Sequence, residues 1–131
     1  MAKRTTIDDL LAAARARIDR LTPEQAHAEQ RAGAVIIDIR SELQRERDGA
    51  VPGAVCLPRN VLEWRVDPES GASDPRVSDL GARLLILCDE GYQSSLAAAT
   101  LRDLGVARAG DVAGGFQAWR SSGLPVSRRP T

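Results

Sequence analysis

The stretch LLILCDEGYQSSLAAATL (residues 84–101) passes from an unbroken apolar run through a lone cysteine and five mostly polar residues into a run of small residues. The run LLILC (84–88) is too short for a helix and apolar at every position, the pattern of a strand covered on both faces. SSLAAATLRD has helical composition, so a helix is expected from Ser94 to about Asp103, closed by Gly105. Strand, loop and helix in that order make the repeating unit of a parallel α/β sheet. The same signal recurs along the chain: AVIIDI (34–39), a short strand over 54–57 after the turn at Pro52-Gly53, and another around 109–112.

The helices fall between these strands. Ile7, Leu10, Leu11, Ala14 and Ile18 recur at helical spacing, so residues 6–18 read as an amphipathic helix with Arg15 and Arg17 on its solvated face. Thr22-Pro23-Glu24-Gln25 combines a cap, a proline at the first helical position and a glutamine at the third, and starts a helix that stops near Gly33. SELQRERDG ends a short helix at Gly49, RNVLEWRVD holds another, and the last helix runs from Gly115 to Gly123. Residues 67–81, rich in Pro, Gly, Ser and Asp, read as a loop. The organisation expected is an N-terminal helical extension (1–19), one α/β domain (20–126) and a flexible tail (127–131).

Composition narrows the function. The 131 residues carry 18 basic and 18 acidic side chains, a formal charge of zero, which removes the electrostatic drive toward nucleic acid or an anionic membrane. No apolar run approaches a membrane span, and MAKRTTIDDLLAAARAR mixes charges through its apolar positions, unlike a secretory signal, so a cytoplasmic location is expected. Two cysteines, Cys56 and Cys88, cannot build a disulfide framework. With a single histidine, His27, and no CxxC or HExxH, neither a metal nor another cofactor is expected; His27 reads as a solvated helix residue.

Cys88 stands at the carboxyl end of a buried strand, where α/β sheets bind ligands. The free N–H groups of the following helix turn, with loop amides, point toward its sulfur, and such a setting favours thiolate over thiol. Gly91 lets the amides converge, and Ser94 and Ser95 offer helix-capping and donor hydroxyls. A cysteine ending an apolar strand is also a common inert core residue. Spacing alone leaves both readings open.

Four segments add a resemblance: VIIDIR (35–40), GAVPGAVCLPRN (49–60), LLILCDEGYQSS (84–95) and DVAGGFQAWRSSGLPV (111–126). In order and spacing they resemble the single-domain rhodaneses, whose members show an Asp-x-Arg, a Gly-His-Ile-Pro-Gly-Ala segment, a Cys-x-x-Gly-x-Arg loop and a closing Gly-Gly…Ala-Trp…Gly-x-Pro-Val. The resemblance implies a rhodanese-like fold with a central, mostly parallel five-stranded sheet and an extra first strand at Leu21. It implies a sulfurtransferase in which Cys88 carries sulfur as a persulfide, wrapped by the loop Asp89, Glu90, Gly91, Tyr92, Gln93 and Ser94. Partners would be a small-molecule or protein persulfide donor and a thiol acceptor.

The departures are specific. Gln93 stands where many members carry arginine, and Asp89 and Glu90 add acid to the loop, so thiosulfate, an anion, is expected to be a poor donor. Ala50 replaces the family's histidine and reads as a packing change. Arg59 is a candidate to face the pocket, Asp38, Arg40 and Ser95 to support the loop, and Tyr92 to wall it. Trp64 and Trp119 read as packing residues and Cys56 as buried filler. The alternative is a non-catalytic rhodanese-like module for partner binding or for sensing sulfide or redox state. A phosphatase reading is weak, because the arginine such a loop needs six residues beyond Cys88 is replaced by Ser94. The N-terminal helix packs on the sheet or mediates a homodimer.

Overall fold

The computed structural model describes residues 3–128. Five strands form one sheet: β1 (Asp19–Leu21), β2 (Val35–Asp38), β3 (Val55–Cys56), β4 (Leu84–Leu87) and β5 (Gly110–Val112). Their order is β1-β5-β4-β2-β3, and every neighbouring pair is parallel. The two strands most apolar in sequence, β2 and β4, pair along their full length at the centre, with Ile36 opposite Leu85 and Asp38 opposite Leu87. Both sheet faces are covered, which is why these strands show no polar alternation.

Six helices cover the sheet: α1 (Ile7–Arg15), α2 (Pro23–Arg31), α3 (Glu42–Asp48), α4 (Leu62–Val66), α5 (Gln93–Asp103) and α6 (Gly115–Ser121). On one face Ile37, Ile86 and Cys88 pack with Leu62 and Val66 of α4 and Ala97, Ala98 and Leu101 of α5. On the other Ile36, Leu85 and Leu87 meet Ala26 of α2 and Phe116 and Trp119 of α6. The helix starts are built as the sequence indicates: Thr22 and Gln25 form a reciprocal capping box with Pro23 at the first position. Thr6 with Asp9 and Ser41 with Gln44 repeat the device.

Some expectations change. The first helix ends at Arg15 rather than residue 18, because the chain must turn to enter β1. His27 is half-buried, its ring edge-on to Trp119 with centroids 5.5 Å apart, so it closes the α2–α6 contact rather than facing water. Trp119 is fully buried and donates its indole N–H to the Pro125 carbonyl at 2.8 Å. Trp64, expected to pack, is 55% exposed, because α4 turns Leu62 and Val66 inward instead. Ala50 is buried and exchanges both backbone hydrogen bonds with Ser127; residues 129–131 of the expected tail lie outside the described residues. No helix among the described residues is long and apolar enough to cross a membrane.

At the end of the sheet away from Cys88, Arg83 bridges three elements, donating to Asp19 of β1, Glu29 of α2 and the Arg108 carbonyl. The guanidinium of Arg83 holds the Asp19 carboxyl below its usual range. A lowered folded-state value means that this contribution is present above the unfolded pKa and is lost as pH falls through the folded one. Arg83→Ala is expected to cost about 1 kcal/mol at neutral pH, given the exposure of Asp19. Denaturant unfolding of both proteins should show that difference shrinking as the pH falls below the usual carboxylate range, where Asp19 takes up its proton.

Candidate active site

β4 delivers Cys88 to its carboxyl end, where the residue is 6% exposed and lines an open cavity of about 440 Å³. Two backbone amides reach the sulfur: Gly91 N at 3.1 Å and Ser94 N at 3.3 Å from Sγ. Gly91 adopts a positive φ of 89°, which turns its amide inward. α5 begins at Gln93, and no side chain caps it at Tyr92. The sulfur therefore stands where a capping oxygen would, accepting from the second residue of the helix.

Ser94 and Ser95 do not act as caps. Both hydroxyls donate to Oδ2 of Asp111 at 2.8 Å, behind the loop and away from the sulfur. Asp111 also accepts from Arg20 Nε at 3.0 Å, and Arg20 lies directly opposite it in the β1–β5 register. The Gly91 carbonyl accepts from Arg20 Nη2 and Arg15 Nη2, each at 2.9 Å. Arg15 is thus half-buried against the cysteine loop, bonded also to Ser95 Oγ, and not on a solvated face; Arg17 is exposed and pairs with Asp103. These loop anchors were not foreseen, although the Arg20–Asp111 cross-strand pair of opposite charges offered the signal for them.

A second clamp comes from α6. Phe116 N donates to the Cys88 carbonyl at 2.8 Å, Gln117 N to the Asp89 carbonyl at 3.1 Å, and Gln117 Nε2 to Asp89 Oδ1 at 2.9 Å. Gly115 makes room, since a Cβ there would lie 2.6 Å from the Cys88 and Asp89 carbonyl oxygens.

Asp38 and Arg40, both buried, form a bidentate pair, with Arg40 Nη2 2.8 Å from Asp38 Oδ2 and 2.9 Å from the Gly49 carbonyl. The Arg40 guanidinium sits 3.8 Å over the ring of Phe116, whose amide holds the Cys88 carbonyl. Arg59, Asp89, Glu90, Tyr92 and Gln93 all line the cavity. The charge of Arg59 is engaged, because its Nη1 lies 2.8 and 2.9 Å from the two carboxylate oxygens of Glu63. Glu90, Tyr92 and Gln93 are exposed, and the Arg15 guanidinium lies 5.7 Å from the Tyr92 ring centroid. Cys56 is half-buried, and burial pushes its thiol up. Register and pleat put it on the Asp38 and Leu87 face of the sheet, opposite the side on which Cys88 packs.

Comparison with known proteins settles the family. A model of the rhodanese-like domain matches residues 22–122. The chain belongs to the rhodanese-like domain family. It is 38% identical over 103 residues to the thiosulfate sulfurtransferase GlpE of Pseudomonas entomophila, across 79% of this chain and 85% of that one. To the GlpE of Stutzerimonas stutzeri it is 37% identical over 101 residues, across 77% and 84%. Among solved structures, a Rhodopseudomonas palustris protein of unknown function, described as a possible tyrosine phosphatase, superposes with a TM-score of 0.87 at 34% identity, covering 97% of this chain and 98% of that one. The human single-domain sulfurtransferase TSTD1 superposes with a TM-score of 0.64 at 26% identity, covering 80% and 96%. The chain is a rhodanese-like sulfurtransferase.

Two glycines separate the clamp from simple backbone preference. Gly115→Ala must push the Cys88 and Asp89 carbonyls aside, with an expected cost of about 2 kcal/mol. Gly123→Ala, with a similar φ and nothing near its Cβ, should cost only about 1 kcal/mol. Thermal unfolding of the two variants measures the difference.

Proposed function

We propose that Cys88 is the sulfur carrier, cycling between thiolate and persulfide. The observation that carries this reading is the convergence of the Gly91 and Ser94 amides on Sγ of a residue that lines an open cavity. Those donors stabilise an anion without a general base. In the first half-reaction the Cys88 thiolate attacks the outer sulfur of a donor R–S–SH, forming Cys88–S–SH and releasing R–S⁻. In the second an acceptor thiolate attacks that outer sulfur, the Cys88 S–S bond breaks, and the thiolate is restored. Arg15 of α1, outside the matched domain, works with this machinery through the Gly91 carbonyl. Reduced thiols suit a cytoplasmic setting.

We further propose that thiosulfate is a poor donor here, in contrast to what the names of the GlpE relatives say of those proteins. Of the charges on the cavity wall, Arg40 is paired with Asp38 and Arg59 with Glu63, while Asp89 and Glu90 add two acids. A dianion entering this cavity meets net negative charge.

Incubation with inorganic polysulfide should add about 32 Da to the protein, and Cys88→Ser should abolish the adduct. Cys88 remaining unmodified with every donor would favour the non-catalytic binding module instead. Transfer to cyanide is expected to run about tenfold or more slower from thiosulfate, a dianion, than from the persulfide of 2-mercaptoethanol, which carries at most one negative charge. Equal turnover from these two donors would refute the charge argument. The likeness to a possible tyrosine phosphatase prompts one more assay. Ser94 occupies the place of a phosphate-binding arginine and spends its hydroxyl on Asp111, so p-nitrophenyl phosphate hydrolysis should not exceed that of Cys88→Ser.

A further inference from the structure

The Cys88 cavity adjoins a larger one of about 770 Å³, and the two share Ile39, Arg40 and Arg59 as walls. The larger cavity adds Arg45 and Cys56, with Glu42 and Glu46 exposed at its rim. Arg40 and Arg45 are 3% and 7% exposed, yet one carboxylate serves both: Asp38 lies 2.8 Å from Arg40 Nη2 and 3.8 Å from Arg45 Nη1. The buried group therefore carries one positive charge more than it neutralises. Two of its guanidinium nitrogens, Arg40 Nη1 and Arg45 Nε, are also buried without a hydrogen-bond partner, as is Nε of the neighbouring Arg59. A surplus buried charge is costly, and an oxyanion held in the adjoining cavity offsets it.

We propose that this second cavity binds the anionic head, a carboxylate or sulfonate, of a small organic thiol or persulfide whose sulfur end lies against Cys88. The proposal rests on Cys88 being the sulfur carrier and extends that reading to the substrate's shape. Charge is acceptable on the Arg45 side and unfavourable beside Asp89 and Glu90, so the anion must be set away from the reacting sulfur. Thiosulfate fails this requirement because its charged oxygens and its outer sulfur share one sulfur atom. Glu42, Glu46 and Glu90 are all exposed and screened by water, so the contrast between the two cavities rests on buried Arg45 on one side and half-buried Asp89 on the other. In the transfer step the bound R–S⁻ attacks the outer sulfur of Cys88–S–SH. An RS–S bond forms, the Cys88 S–S bond breaks, and R–S–SH leaves with its proton while Cys88 departs as thiolate.

The test loads Cys88 with inorganic polysulfide and discharges it with 3-mercaptopropionate, 2-mercaptoethanesulfonate or 2-mercaptoethanol, each counted per thiolate. At least one anionic thiol should half-saturate at about tenfold lower concentration than the neutral one, and comparing the two identifies carboxylate or sulfonate as the preferred head. Arg45→Met should bring that ratio near one, and Arg45→Lys should restore part of it. Propionate should compete with 3-mercaptopropionate and not with 2-mercaptoethanol, an arm that needs no folded variant. Equal half-saturation by all three thiols, or a preference that survives in Arg45→Met, would overturn the proposal. Failure of Cys88 to load at all would instead overturn the sulfur-carrier reading.

Discussion

Asp111 is completely buried and accepts hydrogen bonds from Arg20 on the neighbouring strand and from the hydroxyls of Ser94 and Ser95 on α5. A carboxylate in such a place is tolerable only with its donors present, so the positions of those three side chains are interdependent. Ser94 carries the consequence forward, because its own amide faces the Cys88 sulfur. Arg20 carries it along the other side, by holding the Gly91 carbonyl. The amide cradle is thus braced from behind by a charge network that never touches the thiol. This rigidity suits a site whose chemistry depends on dipoles already aimed at an anion.

The molecule uses arginine in two opposite ways around one cysteine. Behind the loop, Arg15 and Arg20 spend their donors on the Gly91 carbonyl, Ser95 and Asp111. In front of it, the buried Arg40 and Arg45 share one carboxylate beside the cavity, which leaves a surplus positive charge there. The first arrangement fixes geometry, while the second leaves binding capacity. The loop acids Asp89 and Glu90 then set the sign of charge tolerated next to the sulfur. Gln93, in place of the family's arginine, is exposed on that rim and adds no charge.

Much of this was legible in the chain, for identifiable reasons. VIIDI and LLIL announce central strands because burial on both faces forbids polar positions, and the Thr22 capping box marks α2 because its chemistry is local. β1 escaped the residue pattern, since only Leu21 of its three residues is buried, and it was expected only through the family resemblance. Arg15 and His27 were misplaced for one shared reason: periodicity identifies a polar residue on a helix but says nothing of the element opposite it. Trp64 shows the converse, an aromatic residue whose size suggested burial that α4 does not provide. Cys88 and its loop were legible as a unit, whereas Asp111 was hidden within a short strand whose partner lies at the other end of the chain.

That last pairing has a consequence for biogenesis. β1, near the start of the chain, hydrogen-bonds to β5, near its end, so the sheet cannot be completed until almost the whole polypeptide is available. The cysteine cradle depends on the same closure, because it draws on Arg15, Arg20, Gly91, Ser95 and Asp111 together. Contacts so distant in sequence form late, after the loop-closure entropy of the intervening chain has been met. A nascent chain on the ribosome therefore presents Cys88 without its cradle, and the aligned amides are a property of the finished protein alone.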